Sequence, residues 1–370
     1  MRVAINCRSF SLKRYTGIGR YTYNLVKSLS HIDTTNEYWL YLKKNLWDLK
    51  RTIPLEPTAN FIHKINNTNR RLSTFLEDVD VYHSPSLGFF DDYSGKVVVT
   101  IHDLIHKTFA RGHTDDALST IEMQVNEAVE KAQKIICCSQ STINDLRKYY
   151  RVDPEKVRLV YQGVDKAIFR PFNTEELNQA RRLVASKGID GRFILNVGTI
   201  EPRKNLKNLI KAFGVLKEKK YFDGKLVIAG LKGWMMEEFD AWLQEQPAAK
   251  DCIFVGYLSD PELSCFYNTA ELFAFPSFYE GFGFPILEAM SCATAVVTSN
   301  ISSCPEIAGE GAFTVDPSIP ESIVMGLRSV LEEGPFKTRL KERALERSKM
   351  FSFRNTAEET LEVYQAVANS

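Results

Sequence analysis

The stretch Phe278-Tyr279-Glu280-Gly281-Phe282-Gly283-Phe284-Pro285-Ile286-Leu287-Glu288 is where the chain concentrates its chemistry. Glu280 falls in a loop behind the apolar run Leu272–Phe275, and Glu288 falls a turn or more into a helix expected to open near Phe284. Carboxylates accept hydrogen bonds from hydroxyls, and glycine-rich backbone such as 281–284 brings N–H donors close to a ligand. A polyhydroxy ring suits such a loop, with Glu288 placed for a neighbouring ribose. Two glutamates with seven residues between them are common by chance; the strand before them and the Gly-Phe-Gly between them make the pattern specific.

A second cluster is cationic. Gly198-Thr199-Ile200-Glu201-Pro202-Arg203-Lys204-Asn205 lies at a strand-to-helix junction and sets two adjacent cations just before a helix. A guanidinium and an ammonium there can neutralise charge building on a departing diphosphate. Cations are mildly unfavourable at a helix start, which weighs against their being mere solvated charges. Near the N-terminus, Thr16-Gly17-Ile18-Gly19-Arg20-Tyr21 opens a helix after the first strand and reads either as a loop whose backbone N–H groups face a phosphate or as a plain tight turn. A dinucleotide fingerprint would need glycine at 22, where Thr22 stands. His102, followed by Asp103, ends a strand and is expected at the edge of a site. His83 and Ser139, also just past strands, are acceptor-side candidates. Asp78-Val79-Asp80 has the form of a metal-binding DxD but falls on a strand start with no phosphate loop nearby, so it reads as coincidence and no metal is expected.

The elements that must position these groups alternate between strand and helix. Strands are expected at 2–6, 38–42, 60–65, 79–83, 97–102, 135–139 and 157–162, with helices at about 20–29, 115–132 and 142–149. After a polar stretch at 165–173 the series restarts: strands at 193–197, 225–229, 252–255, 272–275 and 295–298, a helix at 205–217, and an amphipathic closing helix at 355–368. The expectation is an α/β protein of two doubly wound Rossmann-like domains facing across a cleft, divided as 1–170 (with 351–370) and 171–350.

Composition excludes several classes. With 370 residues, 44% hydrophobic and 25% charged, the chain is neither disordered nor collagenous nor a disulfide miniprotein. No apolar run reaches the roughly 18 residues of a membrane span, and residues 2–6 read as a strand rather than a secretory signal. Seven cysteines, at 7, 137, 138, 252, 265, 292 and 304, make no CxxC pair and are expected to be reduced and mostly buried, as in the cytoplasm. The net charge of +1 is uneven: residues 1–170 hold 25 Lys/Arg against 19 Asp/Glu, and residues 171–370 hold 22 against 27. Residues 42–71 carry Lys43, Lys44, Lys50, Arg51, Lys64, Arg70 and Arg71 against Asp48 and Glu56, interleaved with Leu46, Trp47 and Leu49. This segment reads either as a solvated face or as a patch for anionic lipid or an anionic acceptor. No nucleic-acid motif accompanies it.

Together these residues resemble the family-4 retaining glycosyltransferases of the GT-B fold. The matching positions are Gly17 and Gly19, His102-Asp103, the motif 201–205, Gly256-Tyr257-Leu258, Glu280 through Glu288, and Phe351-Ser352-Phe353 before the closing helix. The resemblance implies a nucleotide-sugar bound by the second domain and an acceptor by the first, with the last helix crossing back to the first. It assigns Arg203 and Lys204 to the diphosphate, Glu288 to the ribose, Glu280 with Gly281, Phe282, Gly283 and Phe284 to the donor sugar, Gly256, Tyr257 and Leu258 to the base, and His102 to the donor sugar from the acceptor side. Many members carry Arg directly after the strand's glycine, where Thr199 stands here, so Arg203 takes that part.

The implied reaction is transfer of a hexose with retention, by front-face attack, without cofactor or metal, Glu280 serving as a sugar clamp rather than a nucleophile. The opening strand, the loop 16–21 and the motif 201–205 are most similar to bacterial enzymes of O-antigen, capsule or exopolysaccharide synthesis. That points to GDP-mannose as donor and a lipid-linked or oligosaccharide acceptor, with peripheral contact between residues 42–71 and the inner leaflet. A UDP-linked glucose or N-acetylhexosamine stays open, since no residue visibly selects guanine over uracil. Two other classes are an epimerase of the same fold, for which no further acid and base residues stand out, and a non-catalytic nucleotide-binding module; Thr22 argues against NAD.

Overall fold

The computed structural model describes residues 1–11, 17–44, 50–67, 70–88, 93–110, 114–233 and 236–370. The first sheet comprises β1 (Arg2–Asn6), β2 (Glu37–Lys43), β3 (Phe61–Asn66), β4 (Val81–Ser84), β5 (Val97–Ile101), β6 (Lys134–Cys137) and β7 (Val157–Leu159), in the order β3-β2-β1-β4-β5-β6-β7. The second comprises β8 (Phe193–Val197), β9 (Lys225–Ala229), β10 (Cys252–Gly256), β11 (Leu272–Phe275), β12 (Val296–Ser299) and β13 (Phe313–Val315), in the order β10-β9-β8-β11-β12-β13. Every pairing is parallel. Helices cover both faces of such sheets, which is why β5, β11 and β12 are buried at every residue and read as unbroken apolar runs rather than alternating ones. In each sheet the strand order reverses beside the first strand, between β1 and β4 and between β8 and β11, and a crevice is expected at the carboxyl ends there.

The chain groups into two units, one made of Met1–Lys107, His113–Gly163 and Phe351–Ser370, the other of Val164–Met350 with Thr108–Gly112. The border after Gly163 lies earlier than the 170/171 division expected from sequence. Residues 164–170 go with the second unit because Phe169 meets Tyr267 edge-on at 6.1 Å and the Ser264 hydroxyl donates to the Ile168 carbonyl at 2.7 Å. The polar stretch ends as a helix cap: the Asn173 side chain accepts from Glu176 N at 3.0 Å while Glu176 accepts from Asn173 N at 2.9 Å, opening the helix Thr174–Ser186.

Several boundaries differ from expectation for local reasons. The first helix spans Gly17–Ile32, so Gly17 and Gly19 are in its first turn rather than in a loop ahead of it; Thr16 lies outside the described residues. β4 starts at Val81, and the DxD-like residues before it serve the strand: Arg2 N donates to Asp80 Oδ2 at 2.6 Å and Arg2 Nη1 to the Asp78 carbonyl at 3.1 Å. The closing helix, Phe353–Ala368, is capped by Ser352, whose hydroxyl accepts from Asn355 N at 3.1 Å, and it packs on Gly17–Ile32. A Cβ on Gly163 would come within 2.1 Å of Phe353 N, so glycine is required where the chain passes the start of this helix. All seven cysteines are free thiols and five of them are buried.

Candidate functional site

At the switch point of the second sheet, the 3₁₀ turn Pro202–Lys204 follows β8 and the loop 276–283 follows β11. The turn is held at both ends. Phe278 N donates to the Arg203 carbonyl at 2.9 Å, and Asn205, in the left-handed region at φ 58°, donates its side-chain amide to the carbonyls of Pro276 and Pro317 at 2.9 and 2.6 Å. Asparagine tolerates that conformation better than most residues.

This scaffold brings four charged side chains together. Lys204 Nζ meets Glu280 Oε1 at 2.7 Å, and Arg203 Nη1 donates to Glu280 Oε2 and to the Tyr279 carbonyl, each at 2.8 Å. Arg203 Nε and Nη2 both reach Glu201 Oε1, at 2.8 and 2.6 Å. Lys204 also lies over the Phe275 ring at 4.8 Å, and its methylenes pass close to Gly198, where a Cβ would stand 3.2 Å from Cε. Burial alone would raise the Glu280 carboxyl, but Arg203 and Lys204 outweigh it and hold it below the usual carboxylate range. Burial, and then the neighbouring Arg203, pull the Lys204 ammonium below its ordinary value, with Glu280 opposing. The two cations expected to serve a diphosphate and the carboxylate expected to serve a sugar thus form one ion cluster, neutralised internally by Glu201 and Glu280.

The Glu280 loop is fixed through its backbone. Glu280 N donates to the Ser302 hydroxyl at 2.9 Å, Ser302 and Ser303 donate back to the Glu280 carbonyl at 2.6 and 2.9 Å, and Ser303 also reaches the Phe282 carbonyl at 2.9 Å. Gly283, at φ 104°, turns the chain into the helix Phe284–Ser291, which places Glu288 on its second turn. Glu288 is buried and accepts from the Tyr267 hydroxyl at 3.0 Å. Gly281 and Phe282 are buried beside the cluster in sequence, while Phe284 is half-buried. Gly256 ends β10 at φ 71°, its carbonyl accepting from Gly230 N at 2.8 Å; Tyr257 beyond it is exposed and Leu258 buried. Thr199 is exposed.

His102 lies in the first unit at the end of β5, and both of its ring nitrogens are engaged. Nε2 donates to the Pro85 carbonyl at 2.8 Å, which leaves Nδ1 as the acceptor for the Gln162 amide, also at 2.8 Å. Tyr21 packs edge-on against the ring at 4.9 Å. Burial pulls its pKa down, against the Pro85 carbonyl and Asp103, so the ring is neutral at physiological pH. His83 and Ser139, offered above as acceptor-side residues, have structural partners instead. His83 is fully buried between the Tyr364 and Thr100 hydroxyls at 2.6 and 2.9 Å, and burial, followed by the nearby His102, brings its pKa to about 3. Ser139 caps the helix Gln140–Tyr149, accepting from Thr142 N at 3.0 Å.

The basic segment divides. Arg51 is spent on the Arg8 carbonyl and Ser11 hydroxyl at 3.1 and 3.0 Å, and Lys64 lies 3.9 Å from the Trp39 ring centre. Lys43, Lys50, Arg70 and Arg71 are exposed. Leu46, Trp47, Asp48 and Leu49 lie outside the described residues. Sequence reasoning quoted Glu201 without a role and did not single out Ser302, Ser303 or Tyr267. The Glu-Pro-Arg spacing that folds Arg203 back onto Glu201 was readable, whereas serines twenty-two residues away were not.

Two family models tile the chain: "Glycosyltransferase Family 4" over residues 15–167 and "Glycosyl transferases group 1" over residues 180–347. The chain belongs to the family-4 glycosyltransferases. It is 27% identical over 372 residues to O-antigen chain mannosyltransferase B of Escherichia coli, covering 95% of this chain and 96% of that one. It is 30% identical over 373 residues to the serotype-specific mannosyltransferase WbdA of Escherichia coli; the match covers 94% of this chain but spans only 45% of that relative's length. Among solved structures, sucrose-phosphate synthase from Thermosynechococcus elongatus aligns over 100% of both chains with a TM-score of 0.78 at 18% identity, a likeness of fold alone.

Proposed function

We propose that the chain transfers a hexose, mannose from GDP-mannose, with retention of configuration onto a lipid-linked or oligosaccharide acceptor in bacterial surface polysaccharide synthesis. The observation that carries this reading is the buried Arg203–Lys204–Glu280 cluster at the switch point of the second sheet. The two mannosyltransferase relatives favour mannose as the sugar. In this reading an incoming diphosphate competes with Glu280 for Lys204 and Arg203, and the released carboxylate turns to the sugar hydroxyls. Positive charge then sits where the leaving phosphate gathers negative charge, among buried side chains, where such interactions count most. The neutral His102 ring offers a flat, uncharged contact to the sugar, Glu288 serves the ribose, and Tyr257 with Gly256 and Leu258 serves the base. No step requires a divalent cation.

The test is sugar transfer assayed with GDP-mannose, UDP-glucose and UDP-N-acetylglucosamine, with and without EDTA. The expected result is turnover of GDP-mannose that survives EDTA and a product of retained anomeric configuration by NMR. Inverted product or loss of turnover on chelation would overturn the mechanism, and preference for a UDP-sugar would overturn the donor. Peripheral membrane contact through Lys43, Lys50, Arg70 and Arg71 is part of the proposal. Among the described residues no helix is long and apolar enough to cross a membrane. Reversing those four charges should abolish binding to anionic but not neutral vesicles; weak binding that no reversal changes would remove the membrane contact.

A further inference from the structure

Beside the ion cluster, on the helix Leu206–Glu218 side, the second unit carries a half-open cavity of about 510 Å³, within the range of small-ligand pockets. Phe109 and Phe278, stacked at 6.0 Å with their planes 15° apart, form one wall, and Ile200, Leu206, Met236 and Phe239 supply further apolar lining. Phe109 belongs to the short stretch that groups with this unit. Neither Lys204 nor Glu280 lines the cavity, so it is separate from the place assigned to the diphosphate.

Its polar lining is weighted towards acceptors: Glu238 also borders it, and the ammonium of Lys207, which lines it too, lies over the Trp242 ring at 5.5 Å. Asn205, 3% exposed, and Asn208 give their amide hydrogens to backbone carbonyls, both reaching that of Pro317, and among the described residues no hydrogen bond reaches either Oδ1. Glu201, 6% exposed, commits Oε1 to Arg203, and no hydrogen bond among the described residues reaches its Oε2. The lining therefore presents mainly acceptors beside aromatic rings. A phosphate brings only acceptors and a hydrocarbon brings neither. A neutral sugar brings several hydroxyl donors and an apolar C–H face.

We infer that this cavity is a saccharide subsite taking a neutral sugar unit of the acceptor, an inference that rests on the transferase reading above. The acceptor is then a glycan of at least two units rather than a bare lipid phosphate or a monosaccharide. Glu201 links the subsite to the reaction, because the same carboxylate that borders the cavity orients Arg203.

The experiment titrates the full chain with α-1,3-mannobiose by saturation-transfer NMR, with and without saturating GDP. Mannobiose is expected to bind the GDP-loaded protein, and Asn208→Leu and Phe109→Ala are each expected to weaken it about fivefold to tenfold with GDP affinity unchanged. Asn208→Asp keeps the acceptor oxygens but exchanges the bond to Pro317 for a carboxylate facing that carbonyl, so it is expected to retain saccharide binding while lowering the melting temperature, a split that a purely structural role would not produce. Saccharide affinity unmoved by Asn208→Leu and Phe109→Ala, or mannobiose displaced by GDP or by octanol, would overturn the subsite. GDP affinity reports separately: a chain that binds mannobiose at this cavity but neither GDP nor UDP keeps the subsite and removes the transferase reading.

Discussion

The carboxyl ends of the two sheets carry opposite kinds of chemistry. Within β4 and just behind β5, His83 and His102 are neutral rings whose four nitrogens are all spent on Tyr364, Thr100, Pro85 and Gln162. Behind β8 and β11, Glu201, Arg203, Lys204 and Glu280 are charged and bonded mainly to one another. A neutral network is held by directional bonds and resists exchange. An ion cluster can trade one anion for another, since an arriving phosphate offers Arg203 and Lys204 what Glu280 already does. The first region is suited to shaping a surface and the second to gripping a charged group and letting it go.

The largest expected effect breaks the second region. Lys204→Ala and Glu280→Ala should each lower transfer about a hundredfold to a thousandfold, the scale seen when one charge-stabilising group is removed. Circular dichroism should show both variants folded, and near-normal turnover in either would end the role given to the cluster. Glu280→Ala should also cost about 3–5 kcal/mol of stability, because it leaves Arg203 and Lys204 buried without their shared counter-ion.

A pH series of melting temperatures separates the regions. His83 stays neutral in the fold until about pH 3, whereas in the unfolded chain it takes up a proton below about pH 6.5. The unfolded state therefore binds more protons in that window, and the stability present above pH 6.5 falls as pH drops, by up to about 1.4 kcal/mol per unit. His83→Phe should flatten the slope between pH 6.5 and 5; an unchanged slope would mean that the ring is not held neutral. Glu280 acts lower. Its carboxyl is depressed in the fold, so its contribution is present above the ordinary carboxylate pKa of about 4.3 and is lost as pH falls below it. Glu280→Gln should leave the upper window untouched and blunt only the acid limb. The smallest effect is Tyr267→Phe, which removes one hydrogen bond to buried Glu288 and should cost about 1–3 kcal/mol by denaturant titration, with donor KM raised more than kcat is lowered if Glu288 serves the ribose.

Much of the architecture was legible because parallel strands buried on both faces leave dense apolar runs. Four strands, Arg2–Asn6, Phe193–Val197, Lys225–Ala229 and Leu272–Phe275, have the boundaries read from sequence. The edge strand Phe313–Val315, only 3 residues long, carries too little pattern to be seen. The helix Thr174–Ser186 was missed although its capping pair, Asn173 and Glu176, stands in the sequence, because the polar residues around it read as linker. At the site, motif spacing assembled Arg203, Lys204 and Glu280, since each follows a strand of one sheet. It could not show that they bond to each other, nor that His83 is consumed by Tyr364, 281 residues later. Such pairings depend on which helix covers which strand, and local sequence does not encode that.

That last bond has a consequence for biogenesis. The helix Phe353–Ala368 completes the unit that opens with Arg2–Asn6, so that unit cannot finish its core until residues 164–350 have been made. The later-encoded half is threaded into the earlier one as an insert and is whole first. At roughly 5–20 residues per second, the nascent N-terminal lobe waits many seconds, with the groove for its missing helix open, until that helix emerges.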